Sequence, residues 1–165
     1  HYRVRAVDGN GRAGAFSPLA SQVSSSTRRI ELENLQPATN ADMDMERQSS
    51  CCGATWSGGA QLWLKPSAKG QFAEFTVDVA KVGSYELDLA YSKAGDYGNF
   101  RVILDGKALG EFEGHHADGV VTAEGSLGSV RLQAGKHTLR FESTGKGAAS
   151  TGLFIGVDYL EMKLK

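Results

Sequence analysis

Apolar and polar positions alternate along most of the chain, with a period of two. In FAEFTVDV, Phe72 and Glu74 fall on one side and Phe75, Val77 and Val79 on the other. In SYELDLAY, Tyr85, Leu87, Leu89 and Tyr91 oppose Glu86 and Asp88. This spacing puts successive side chains on opposite faces of a half-buried strand. It predicts strands near 29–34, 61–64, 71–79, 83–92, 99–104, 108–111, 128–133, 137–143 and 153–164. Turn-forming residues separate them, at Lys69-Gly70, Lys81-Val82-Gly83, Asp105-Gly106 and Ala134-Gly135. Within ILDGKALG, Asp105-Gly106 suits the positive φ of a type I′ hairpin turn. No segment holds a helical period for long, although 40–47 could form one short helical turn. Short strands at regular spacing predict an all-β sandwich or barrel.

The last stretch, GLFIGVDYLEMKL, organises the rest. Phe154, Asp158, Leu160, Met162 and Leu164 share one parity, and Leu153, Ile155, Val157 and Tyr159 make the opposite face apolar too. A strand apolar on both faces is expected deep in a sheet, covered from both directions. Asp158 is the anomaly there, because a buried charge costs on the order of several kcal/mol unless it is paired. A cation is the simplest partner. Pairing with Arg29 or a lysine is the alternative, with Glu31 and Glu33 left on a solvated edge. Residues 34–60 are the least regular part of the chain. There SSCCGATWSGG predicts a loop across the end of the sandwich, and a loop that long is usually functional or disordered.

Composition narrows the partners. With 165 residues the chain can hold one full core, or one domain and a fragment, and 21 glycines against 3 prolines suit many turns. A net charge of −1 implies no basic face for nucleic acid or an anionic membrane. The apolar runs are too short to span a bilayer. Cys51 and Cys52 are adjacent, with Cα atoms about 3.8 Å apart across a trans peptide, below the usual disulfide range of about 4.4–6.8 Å. They predict two ordinary thiols or a strained vicinal bridge, and no metal site of their own. The start at His1-Tyr2, inside an alternating run, reads as a piece of a longer protein.

Two resemblances follow. YRVRAVDGNGRAGAFSPLASQVSS resembles the last two strands of a fibronectin type III domain, a tail without its body. It sets the expected division: 1–27 as that fragment with a linker at 24–27, and 28–165 as the domain. Within 28–165, the succession IELENL, GQFAEFTVDVAKVGSYELDLAY, FRVILDGKALG, LQAGKHTLRFES and GVDYLEM resembles family 6 and family 35 carbohydrate-binding modules. WSGGAQLW, KAGDYG and GVDYL look closer still to modules of this type on bacterial polysaccharide-acting enzymes. The resemblance implies a galactose-binding-like jelly-roll β-sandwich and a structural calcium held by Glu31, Glu33 and Asp158. It implies a sugar cleft at one rim, with candidates Trp56, Trp63, Lys93, Asp96, Tyr97, Asn99, His115, His116 and Lys146. Aromatic faces would stack on the sugar and polar groups would grip its hydroxyls.

Several of these residues have plainer readings. Tyr97 has no alternation to serve and is expected exposed. Trp63 suits packing better than a platform, and Trp56 suits either. The family pattern has a Trp where this chain has His115-His116, and an Asn where it has Thr151-Gly152. His115, His116 and Asp118 could suggest a zinc or catalytic site, but a solvated loop fits them better, and Lys146 could be a turn charge. No nucleophile elbow, helical zinc pair or phosphate loop is present, and Asp96 with Asp118 is the remaining carboxylate pair. The expectation is therefore no enzyme. It is a secreted, monomeric module that binds oligosaccharide or polysaccharide beside a catalytic domain in the same polypeptide. The alternative is a spacer or docking module.

Overall fold

The computed structural model describes residues 7–11 and 26–165. All but Val7 of the fibronectin-like strands expected at 2–7 and 19–24 lies outside the described residues, as do the first two residues of the linker. In chain order the first strands are β1 (Thr27–Glu31), β2 (Ala38–Thr39), β3 (Asp44–Ser49), β4 (Ala60–Lys65) and β5 (Phe72–Val79). They are followed by β6 (Gly83–Lys93), β7 (Asn99–Leu104), β8 (Lys107–Glu113), β9 (Val121–Leu132), β10 (Gly135–Gly145) and β11 (Ile155–Leu164). One six-stranded sheet runs β3-β4-β11-β6-β9, with β1 also on β11. A five-stranded sheet runs β2-β5-β10-β7-β8, and the neighbours in both sheets are antiparallel. This is the expected jelly-roll sandwich. Asp105 (φ 49°) and Gly106 (φ 78°) make the predicted type I′ turn between β7 and β8.

The alternating residues close the core. Ala73, Phe75, Val77 and Val79 of β5 are buried, as are Tyr85, Leu87, Leu89 and Tyr91 of β6. Phe75 and Phe141 meet edge to face at 5.7 Å, and Phe100 stacks on Phe112 at 5.5 Å.

The structure corrects three expectations. The region 34–60 is not all loop, and 40–47 contains no helical turn. It carries β2 and β3, and β3 pairs with β4 from Asp44↔Lys65 to Ser49↔Ala60. An edge strand with few buried side chains leaves little alternation to read. Strand β9 begins at Val121 rather than near Gly128, where the register to β6 shifts.

The third correction concerns β11. It is internal, with β6 on one side, while β4 pairs with Ile155–Val157 and β1 with Tyr159–Lys163 on the other. Between Val157↔Tyr91 and Leu160↔Leu89, two residues, Asp158 and Tyr159, oppose the single Ala90. Such a bulge shifts the phase of a strand by one residue. Ile155 and Val157 before it and Leu160 and Met162 after it are therefore all buried core residues, although the uninterrupted parity separates them.

Phe100 is fully buried in the core, and Phe100→Ala should lower unfolding stability by about 3–5 kcal/mol. Ile103→Ala, on the half-buried side of the same strand, should cost clearly less. Urea titration of the two variants checks the ranking.

Candidate functional site

The acidic trio assembles from both ends of the domain. Leu32, wholly buried, points into the core from a single 3₁₀ turn after β1, which leaves Glu31 and Glu33 on the side away from it. Register places Glu31 opposite Tyr159, beside the bulge that turns Asp158 outward. One carboxylate oxygen from each of Glu31, Glu33 and Asp158 lies within 4.8 Å of the others. Glu33 and Asp158 are only 6% and 4% exposed. The sequence alternative of an Asp158–arginine pair is not what forms, because Arg29 pairs with Glu161 at 3.1 Å.

Protein donors satisfy only part of this cluster. The Ser57 backbone N–H donates to Asp158 Oδ2 (3.1 Å) and the Ser57 hydroxyl donates to Glu31 Oε1 (2.8 Å). Glu31 Oε2, both Glu33 oxygens and Asp158 Oδ1 are buried with no partner. Burial pushes the Asp158 carboxyl up to about 6, with repulsion from Glu31 and Glu33 adding to it. Burial also raises Glu33. Buried oxygens aimed at one place fit a hard divalent cation, which prefers oxygen ligands. The Gly58 backbone (φ 61°) closes over the trio, and a Cβ there would lie 3.1 Å from Glu33 Oε1. Ser57 and Gly58 escaped sequence reading, and the Ser-Gly-Gly run after Trp56 was the one available signal.

Neighbouring Trp56 faces another way. Its indole N–H donates to Ser92 Oγ (2.7 Å), and Ser92 donates to Gln61 Oε1 (2.6 Å). Gln61 Nε2 then donates to Tyr97 OH (3.0 Å) and to Gln48 Oε1 (2.8 Å). Trp56 and Tyr97 are each 3% exposed, and burial pushes the Tyr97 phenol up to about 12. They cover the part of the six-stranded sheet's outer face around Ser92, Gln61 and Gly156. Gly156 makes room there, since a Cβ would come within 2.4 Å of Gln61 and 2.8 Å of Tyr97. The expected exposure of Tyr97 is therefore corrected, and neither ring is a surface platform. Trp63 is half-buried, edge to face with Phe154 at 5.2 Å, with Lys65 Nζ 4.3 Å from its ring centroid.

The other candidates stand on the loops at one end. Lys93, Asp96, Asn99, His115 and His116 are half-buried, and Lys146 is exposed. Asn99 Oδ1 and His116 Nδ1 are buried without a partner. Backbone bonds lace these loops together: Gly98 N–H to Phe154 O, Gly114 N–H to Gly98 O and Thr151 N–H to Gly95 O, each 2.9–3.0 Å. Among the described residues, the trio is the one gathering of three metal-ligating side chains, so His115, His116 and Asp118 do not form one. Cys51 and Cys52 are free thiols with Sγ atoms 2.6 Å apart.

A groove of about 550 Å³ lies away from this rim, between the Thr55–Ser57 segment, β6, β9 and the bulge of β11. Of the predicted ligand residues only Trp56 borders it, along with Asp158 of the trio. Among the described residues, no helix is long and apolar enough to cross a membrane.

Neither a protein-family model nor a curated protein matches the sequence. Solved structures do match its fold. A xanthan lyase from Paenibacillus shares 21% identity at a TM-score of 0.69, over 92% of this chain and 14% of the lyase. A β-(1,4)-mannanase from Podospora anserina, GH26-CBM35, shares 16% at 0.56, over 84% and 28%. The carbohydrate-binding module CBM36 in complex with calcium and xylotriose shares 13% at 0.54, over 82% of this chain and 98% of the module. The chain thus spans about a seventh of the lyase and about a quarter of the mannanase. It has the β-sandwich fold of carbohydrate-binding modules.

Trp56→Ala should lower unfolding stability by about 3–5 kcal/mol, and Tyr97→Phe by about 1 kcal/mol. Both are read by urea titration, and unchanged midpoints would return the rings to the surface.

Proposed function

We propose that the chain is a non-catalytic carbohydrate-binding module of a larger secreted polysaccharide-acting enzyme, and that a structural calcium ion secures it. The observation that carries this reading is the acidic trio, with four buried oxygens left without a partner, in a fold shared with a module solved with calcium and xylotriose. Glu31, Glu33 and Asp158 would hold the ion, with further oxygens completing its shell of six to eight. Bound there, the ion supplies the positive charge that the three carboxylates lack. Glycan would meet the loop rim, where Lys93, Asp96, Asn99, His115 and Lys146 present polar atoms suited to hydroxyls. The burial of Trp56 and Tyr97 favours a second reading, a spacer or docking module without glycan affinity.

Affinity electrophoresis on a panel of neutral and acidic polysaccharides separates the two. Retardation on at least one glycan is expected, and weaker retardation for Asp96→Ala with Lys146→Ala. A folded protein that runs unretarded on every glycan is a spacer.

Calcium should raise the melting temperature, and a chelator should reverse the rise. In metal-free protein, Asp158 titrates at about 6, above the ordinary carboxyl value near 4. The folded state then binds the extra proton between those values, so this group's contribution to stability is lost as pH rises from about 4 to about 6. Calcium competes with that proton. Its stabilising increment should therefore be larger at pH 7 than at pH 5, and Asp158→Asn should largely abolish it. An equal increment in Asp158→Asn would remove the trio as the ion's site.

A further inference from the structure

We infer that the groove on the outer face of the six-stranded sheet is a second glycan site, selective for a neutral oligosaccharide; this rests on the carbohydrate-binding reading above. Its volume of about 550 Å³ falls within the range of small-molecule sites, about 300–1,000 Å³. The floor is open because Ala90 is the small residue opposite the bulge, between the outward residues Asp88 and Ser92 of β6. Thr55 and Ser57 stand on one wall, Thr122 and Glu124 on the other, and Tyr159 with Arg29 at the end.

The cation that lines this groove is already engaged. The Arg29 guanidinium bonds Glu161 and lies 3.9 Å from the Tyr159 ring centroid, and Tyr159 OH donates to Glu124 Oε1 at 3.1 Å. An anionic sugar would find no uncommitted cation and would face the Glu124 and Asp158 carboxylates. A purely apolar ligand would leave polar wall groups without partners, which is costly. Remaining are the hydroxyls of Thr55 and Thr122, which among the described residues bond no other side chain, and the apolar side of half-buried Tyr159. Hydroxyls that donate and accept, set beside aromatic carbon, suit the alternating hydroxyl and C–H surface of an uncharged sugar. The frame is preformed: the bulge fixes Tyr159, and Ser92 holds Trp56 through its indole N–H.

The test uses Trp56, which borders the groove, as a local reporter. The chain has two tryptophans, so a Trp63→Phe background leaves Trp56 alone. Xylo-, manno- and cello-oligosaccharides of two to six units, and oligogalacturonate, are titrated while indole emission is followed. A saturable change with at least one neutral series and none with oligogalacturonate is expected. Ala90→Phe, which puts a ring on the floor, should abolish that change while retaining the calcium-dependent melt that reports a folded protein. A change that survives Ala90→Phe, or one seen with oligogalacturonate alone, overturns the inference. So does glycan retardation of the wild-type protein with no Trp56 response, which leaves the carbohydrate-binding reading standing. Neither retardation nor response sinks both. Should Ala90→Phe fail to fold, Thr122→Ala with Thr55→Ala is read instead, and an unaltered titration curve overturns the site.

Discussion

The constraint on which the fold turns is that apolar burial and acidic crowding are enforced by the same residues. Ile30 and Leu32 enter the core from the first strand and its turn, and Leu160 and Met162 enter from the last. Their registered pairing leaves Glu31, Glu33 and Asp158 nowhere to go but together. Separating the acids would mean taking four core side chains back into water. The repulsion is thus a by-product of a good core, and it can be relieved only by countercharge. Arg29, whose charge bears on Asp158, is aligned on Glu161 and the Tyr159 ring instead.

Much of this was legible in the residues. Alternation found the central strands, Asp105-Gly106 named its own turn, and one acid among apolar neighbours marked Asp158. The bulge was not legible, because inserting a residue leaves no local signature and becomes visible only against the register of β6. Nor was β3, whose DMERQS sequence is stabilised by main-chain pairing to β4 rather than by a buried face. Trp56 and Tyr97 look like loop residues because the groups that bury them, Ser92, Gln61 and Gly156, come from three other strands. Ala90 and Thr122 carry no pattern at all, and they matter only because of what is missing around them.

Consecutive residues do opposite work in the loop before β4. Ser57 serves the acids, while Trp56 reaches across to Ser92 and, through it, to Gln61 and Tyr97. One short segment therefore couples the ion-binding corner to the polar layer beneath the rim loops. Those loops are already laced by their own backbone bonds, so the rim is a stiff surface rather than a set of closing fingers. Recognition on such a surface draws on shape already present, with little ordering cost at the moment of binding.

The pairing of β1 with β11 also has a mechanical side. Thr27 lies opposite Lys163, so the described domain is entered and left at adjacent points on one pole. Tension applied across Thr27 and Lys163 would peel this strand pair open rung by rung, instead of shearing every rung at once. The tear would travel past the Arg29–Glu161 ion pair and arrive at Glu31, where an ion gripping both strands would act as a rivet at the root of the zipper.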